Sequence, residues 1–238
     1  MDASRHALLT LLADGAWHTG VQLGADLGLS RAAIWKQIRA LRNTGLTVVA
    51  DRRRGYRLGA PLELLAEDPI RKVLSPETKA ALARLDVLLT TASTSEILAT
   101  MPAPAPGAMF VCVAEYQSGG RGRRGRRWFS PLGHGLCLSV SWCYEVAPRD
   151  LAALGLVIGV AVAEALVSVV PPAAVQLKWP NDIVANGGKL GGILVDVAGE
   201  AGGPLRVVVG IGLNVRVSPA LGAEVDADGG NLRPATLD

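Results

Sequence analysis

The chain has 238 residues, half of them hydrophobic but only 4% aromatic, so it has room for one large domain or two unequal ones cored by Leu, Val, Ile and Ala. Its formal charge is only +3, yet residues 1–60 carry nine Lys/Arg against four Asp/Glu and the remainder fifteen against seventeen, which puts a nucleic-acid partner at the N-terminal end. Three cysteines, Cys112, Cys137 and Cys143, form no even set and no metal-ligand spacing; they read as buried thiols of a reducing, cytoplasmic compartment.

Asp2 and the lack of an apolar run behind it argue against a signal peptide. Residues 4–13 place Ala7, Leu8, Leu11 and Leu12 on one helical face. Thr19 can cap a second helix carrying Val21, Leu23 and Leu27, and Gly28-Leu29 makes a turn. Ser30 caps a third helix to about Asn43, with Ala33, Ile34, Ile38 and Leu41 inward and Arg31, Lys36, Arg39 and Arg42 outward. Leu46–Ala50 and Tyr56–Leu58 then form a hairpin tipped by Arg52, Arg53 and Arg54. Helix, turn, basic helix and basic wing in that order predict a winged helix-turn-helix over residues 1–60. Ser30, Arg31, Lys36, Arg39 and Arg52–Arg54 are its candidate DNA-binding residues. The alternative is a three-helix interaction module with a solvated basic face.

Gly59-Ala60-Pro61 opens a second domain, residues 61–238. Asp68-Pro69 and Ser75-Pro76 each pair a cap with a first-turn proline, predicting two short helices, the second ending near Leu85. A strand is expected over Val87–Thr90, and a helix capped within Ser93-Thr94-Ser95. Further strands are expected over Met109–Glu115, Gly135–Trp142, Val175–Trp179, Lys189–Val197 and Leu205–Val217, with Asn186-Gly187 as a hairpin turn. Leu151 to Val170 is apolar but for Glu164 and Ser168. With Asp150 as a soluble-type cap and no flanking basic cluster, it reads as a buried central helix and not a membrane span. From Ser218 the period is lost. The domain is α+β, a mixed and mainly antiparallel sheet with helices largely on one face.

Between the strands ending at Glu115 and starting at Gly135 lies Gly119-Gly120-Arg121-Gly122-Arg123-Arg124-Gly125-Arg126-Arg127-Trp128. Glycines let backbone N–H groups turn inward, and guanidinium groups add planar donors for phosphate or carboxylate, so an anionic ligand should organise this loop. Gly120, Gly122 and Gly125 also spell a dinucleotide fingerprint, but Arg126–Pro131 does not read as the helix that fingerprint requires. Three other segments sit near strand ends: Lys178-Trp179-Pro180-Asn181-Asp182, Gly187–Val195 with Lys189 as its lysine, and Gly210–Val215 with Asn214. Singly they also fit an exposed ion pair, a hairpin lysine and a strand terminus.

Together, in this order and spacing, these segments resemble the biotin protein ligases. With the N-terminal module, the chain resembles the bifunctional biotin ligase/biotin-operon repressors. The resemblance implies a class II aminoacyl-tRNA synthetase-like catalytic fold. It implies formation of biotinyl-5′-adenylate from biotin and ATP, Mg²⁺ arriving with ATP, and transfer of biotin to a lysine of a biotin carboxyl carrier protein. It also implies a cytoplasmic homodimer on operator DNA. Ser93, Thr94, Ser95, Gln117, Gly120, Arg121, Gly122 and Arg123 would bind biotin, and Lys189 its carboxyl and the α-phosphate. Arg124, Arg126, Trp128, Lys178, Asn181 and Asn214 would contact ATP or the adenylate. Lys189, Arg123 and Asp182 would be catalytic, the last by orienting or deprotonating the acceptor amine. No metal site in the protein is expected. Ser95 stands where the family usually has Asn, and residues 216–238 hold no aromatic to stack on adenine. A further helix and small C-terminal β-barrel usual in the family are not in this sequence. The competing readings are a regulator that only senses a small ligand, without ATP turnover, and a lipoate ligase.

Overall fold

The computed structural model describes residues 3–144, 151, 153–168, 175–199 and 203–216. They divide into two compact units, Met1–Leu64 with Pro131–Gly133, and Leu65–Ser130 with His134–Asp238.

In the first unit, α1 (Ala3–Leu12), α2 (Gly20–Leu27) and α3 (Arg31–Arg42) precede an antiparallel hairpin of β1 (Val48–Asp51) and β2 (Gly55–Leu58). The caps are those the sequence predicts: the Thr19 hydroxyl accepts from Gln22 N–H, and the Ser30 hydroxyl from Ala33 N–H. Gly28 ends α2 in the left-handed region at φ 64°. Leu8, Leu9, Leu12, Leu23, Ile34, Ile38, Leu41 and Leu58 are fully buried and form the core. Of the apolar residues on α2, Val21 is 70% exposed and Leu23 alone is buried. Arg42, expected on the outer basic face, turns back and donates from Nε and Nη2 to the Val48 carbonyl, tying α3 to the wing. His18 exchanges backbone hydrogen bonds with Tyr56, adding a third short segment to the hairpin.

The second unit opens with α4 (Glu67–Val73), α5 (Pro76–Ala81), β3 (Leu82–Thr91), α6 (Thr94–Thr100) and β4 (Met109–Gln117). Asp68 is not a cap, because α4 begins at Glu67, which pairs with Arg71 one turn on at 2.7 Å. Likewise α5 stops at Ala81, and β3 begins five residues earlier than expected. Its parallel pairing with β4 starts at Leu82 opposite Met109, a partner distant in sequence. There follow β5 (Gly135–Tyr144), α7 (Leu154–Leu166), β6 (Val175–Lys178), β7 (Asp182–Ala185), β8 (Gly188–Ala198) and β9 (Leu205–Asn214). The described strands make one sheet in the order β3-β4-β5-β9-β8-β7-β6, in which only β3 and β4 are parallel. Asn186 (φ 50°) and Gly187 (φ 75°) form the two-residue turn between β7 and β8.

Helices lie on both faces of this sheet, contrary to the expectation of one. The face bearing Val207, Val209, Leu213 and Ile193 packs against Leu154 and Leu166 of α7. The other bears Val208 and Cys112 under Leu98 of α6. A strand alternates its side chains, so an apolar β9 with interspersed glycine serves two different layers. The central helix is shorter and less covered than expected. Leu154, Gly159 and Leu166 are buried, whereas Leu156, Val157, Val160 and Val167 are exposed among the described residues. The expected cap Asp150 and the segment after Ser218 lie outside the described residues. No described helix is long and apolar enough to cross a membrane.

Candidate functional site

On the α6 face of the sheet, two cross-strand rungs build a floor. One runs Cys112–Ser139–Gly210–Leu194, the other Ala114–Cys137–Gly212–Gly192–Asp182. The first rung is polar at its centre. Ser139, fully buried on β5, lies 2.7 Å from the Thr94 hydroxyl and 2.9 Å from that of Ser95. Thr94 donates from backbone N–H and hydroxyl to Gln117 Oε1 at 2.7 and 3.0 Å. Ser93, as cap of α6, accepts from Glu96 N–H and so fixes the start of this triad. Buried hydroxyls satisfied by one another hold a rigid array of donors and acceptors.

The second rung is bare backbone at Gly212 and Gly192, and Trp128 rests there. A Cβ at Gly212 would lie 2.3 Å from the Trp128 ring, and one at Gly210 would lie 2.6 Å from the Ser95 hydroxyl. Only glycine allows the indole and α6 to come this close. Among the described residues, Trp128 Nε1 and Ser130 Oγ are buried and find no hydrogen-bond partner. Burial pushes the neighbouring Cys137 thiol up to about 12, although the side chains of Ser130, Gln117 and Trp128 pull the other way. Cys112 is also pushed up to about 12 by burial. Both are inert thiols in this environment.

Lys189 reaches the same face because of a bulge. The β7–β8 register shifts between Ile183 and Val184, so Leu190 turns into the α7 core while Lys189 stays on the site face. Lys189 Nζ pairs with Asp182 Oδ1 at 2.6 Å and stands 6.0 Å from the Trp128 ring centroid. Asp182 therefore pairs with Lys189; Lys178, its backbone partner on β6, is exposed. Asn214 is buried, and its amide donates to the Lys189 carbonyl at 3.0 Å, so it braces the lysine's strand.

The arginine loop has order of its own. Trp128 N–H donates to Gly120 O, Gly122 N–H to Arg126 O, and Arg121 bridges Arg127. A 3₁₀ turn, Arg123–Gly125, closes the tip with Arg124 at φ 58° and Gly125 at φ 75°. No helix follows the glycines, as the sequence reading requires. Arg121 Nη2 meets Asp196 Oδ2 at 3.1 Å, and Arg123 Nη1 meets Asn181 Oδ1 at 3.3 Å. Asn181 in turn donates to the Ile193 carbonyl and accepts from Ile193 N–H through its own carbonyl. The chain thus partly supplies the anchoring that a ligand anion was expected to provide. Gly119–Arg127, Leu194 and Asp196 line a concavity of about 750 Å³, with Arg124 and Arg126 exposed in it.

The structure thus gathers Ser93, Thr94, Ser95, Gln117, Gly120, Arg121, Gly122, Arg123, Trp128, Asn181, Asp182, Lys189 and Asn214 on or beside one sheet face. Ser139, Cys137, Ser130 and Asp196 belong to this set and were missed. Hydroxyls at Ser139 and Ser141 in an otherwise apolar strand were the available signal.

In the first unit, Arg31, Lys36 and Arg39 are exposed along α3, and Arg52 and Arg53 at the wing tip. Asp51 accepts from the N–H groups of Arg53 and Arg54, which hold its carboxyl below the usual range and shape the turn. Trp17 stacks under Arg54 at 4.5 Å and Arg57 at 5.2 Å, fixing two wing cations.

A family model described as "Biotin/lipoate A/B protein ligase family" matches residues 88–214, and one described as "HTH domain" matches residues 4–57. The chain is similar to the "Bifunctional ligase/repressor BirA" of Salmonella typhimurium, 43% identical over 208 residues, covering 87% of this chain and 62% of that protein. It is 38% identical over 204 residues to the protein of the same description from Bacillus subtilis, covering 84% of this chain and 61% of that one. The chain thus spans roughly three-fifths of the length of these relatives. Among solved structures it resembles the biotin protein ligase of Leishmania major in complex with biotin. The TM-score is 0.53 at 28% identity, over 69% of this chain and 64% of that one. With more than half of its length matched, the chain belongs to the biotin/lipoate A/B protein ligase family.

Proposed function

We propose that the chain is a biotin protein ligase joined to a DNA-binding repressor module. One observation carries the ligase reading: a closed polar network (Thr94, Ser95, Gln117, Ser139) lies on the same sheet face as Lys189, with the Arg121 and Arg123 loop beside it. The network suits the N–H and C=O groups of a ureido ring. The cations suit a carboxylate and a phosphate brought together.

In the first step a biotin carboxylate oxygen attacks the α-phosphorus of ATP. The new C–O–P bond forms as the bond to pyrophosphate breaks. Two anions must approach, and Lys189, Arg121 and Arg123 offset their repulsion as charge develops. In the structure these cations pair with Asp182, Asp196 and Asn181 respectively. The ligand anion replaces those partners and frees Asp182. In the second step the amine of a carrier-protein lysine attacks the acyl carbon, AMP leaves, and Asp182 takes the amine proton. Mg²⁺ arriving with ATP would supply positive charge to offset part of that of the phosphates. The residues fit a cation carried chiefly by phosphate, with Asp182 as the carboxylate on that face able to approach it. Trp128 is placed to pack on the nucleotide, with Arg124, Arg126 and Lys178 meeting its phosphates.

The acceptor is a biotin carboxyl carrier protein in the cytoplasm, where ATP is present and the three free thiols stay reduced. The first unit binds operator DNA, as a homodimer on a two-fold site, through α3 and the wing. The deciding measurement is ATP–pyrophosphate exchange dependent on biotin. Exchange with biotin and not with lipoate is expected; exchange with lipoate alone, or with neither, overturns the ligase assignment.

A further inference from the structure

The basic face of α3 contains a residue that phosphate binding does not need. Trp35 is 54% exposed. Arg31, Trp35 and Arg39 follow one another at four-residue spacing, so they form a single stripe along the helix, about a quarter-turn round from the buried Ile34, Ile38 and Leu41. The Arg39 guanidinium lies 5.7 Å from the centroid of the indole, which holds both side chains outward as a pair. Lys36 adds a further exposed cation, and Arg52 and Arg53 two more at the wing tip. A large apolar ring in the middle of a cationic helix face is costly in water and complements a surface that is anionic around an apolar feature. The DNA major groove has that character. Its edges present hydrogen-bonding groups flanked by phosphates, and its one apolar group is the C5 methyl of thymine.

We propose that Trp35 is a specificity-determining residue, reading a thymine methyl in each half-site of the operator. The proposal rests on the reading of this unit as DNA-binding. Arg31, Lys36 and the wing arginines supply sequence-independent attraction, while the Trp35 ring covers the methyl and excludes water from it. Arg39, stacked beside it, is thereby presented toward the neighbouring base pair. Trp35 makes no phosphate contact in this arrangement, so its removal changes discrimination and leaves the electrostatic part of binding intact.

The test starts from selection on a randomised DNA duplex library with the full 238-residue chain, biotin and ATP present. In the selected site each thymine is then replaced singly by deoxyuridine, which removes only the methyl. For the wild type, one such replacement per half-site is expected to weaken binding about 5-fold, the usual scale for one base-edge interaction. Trp35→Ala should weaken binding to the unmodified site by a similar factor and be indifferent to that replacement. It should also select a sequence degenerate at that position, with an unchanged slope of log K against log salt. Trp35→Phe should keep the methyl sensitivity, which separates the reading of the methyl from any disturbance of the helix. Selection of the same sequence by Trp35→Ala, or equal uracil sensitivity in both proteins, overturns the proposal while leaving DNA binding standing. If the wild type enriches no sequence, the DNA-binding reading falls and this proposal with it.

Discussion

Strand β9 has two unlike sides. Toward α7 it presents Val207, Val209 and Leu213, which are buried in a continuous apolar cluster. Toward α6 it presents Gly210, Gly212 and Asn214, against which Ser95 and Trp128 pack and from which the Lys189 carbonyl is held. One face gains stability from volume; the other gives up volume so that an indole, a hydroxyl and a lysine approach the backbone. The two jobs are separated by a single residue step along the strand. Changes on the two faces should therefore affect different measurements.

The largest effect is expected at Lys189. Under the proposed reaction Lys189→Ala removes a cation from where charge develops, and biotin-dependent pyrophosphate exchange should fall by roughly 10²–10³-fold, as for removal of one preorganised donor. The melting temperature should hardly move, since the pair with Asp182 is partly exposed. Exchange near the wild-type rate would remove Lys189 from the chemistry.

Gly212→Ala and Val209→Ala test the comparison on one strand. A Cβ at residue 212 has no room beside Trp128, so either the ring or the strand must move. Biotin affinity should drop about 10-fold with a modest drop in stability, in the range of overpacking, about 1–3 kcal/mol. Val209→Ala on the opposite face should cost roughly 1.5–3 kcal/mol in denaturant unfolding and leave exchange per folded molecule unchanged. If Val209→Ala damaged exchange as much as Gly212→Ala does, the two faces would not be separable.

Much of this arrangement is readable in advance, wherever the determinants are local. Ser30 with Ile34, Ile38 and Leu41 identifies a capped amphipathic helix, and Asn186-Gly187 a tight hairpin, because each pattern is satisfied within a few residues. The resemblance placed Ser93–Ser95, Gln117 and Lys189 together before any coordinates. Ser139 and Asp196 escaped because their roles arise from pairings across the sheet, Ser139 with Gly210 and Asp196 with Val208, which a linear scan does not contain. The start of β3 was missed for the same reason. Asp68 failed because a cap motif competes with helix-internal pairing, here Glu67 with Arg71.

The first unit repeats the contrast between a packed face and a proposed DNA-facing one. Replacing Arg52, Arg53 and Arg54 by Ala leaves the α3 core untouched and should flatten the salt dependence of DNA binding by about 0.9 in slope for each phosphate that the wing no longer neutralises. An unchanged slope would mean that the wing stays clear of the DNA. The Arg54 contribution should be reproduced in part by Trp17→Ala, since the indole holds that guanidinium in place.

The smallest effect is expected from Glu115, the only acidic residue that is buried among those described. It lies on β4 two residues beyond Val113, on the side of the sheet away from Ser139, and accepts a hydrogen bond from Leu65 N–H. Burial raises its carboxyl above the ordinary value of 4.5, and the Leu65 N–H opposes that shift only in part. The folded chain therefore binds this proton more tightly than the unfolded chain does. Its contribution to stability is full below the unfolded value and is lost as pH rises through the raised folded value. The folded state therefore holds this group more easily neutral than ionised. Glu115→Gln keeps an acceptor for Leu65 N–H and removes the charge. Denaturant unfolding across that window should show a smaller decline in stability with rising pH for the variant, and equal or greater stability at pH 7. A variant that is less stable than the wild type at pH 7, with an unaltered pH slope, would show that the ionised carboxylate is favourable where it stands and that the α7 face tolerates charge as the site face does.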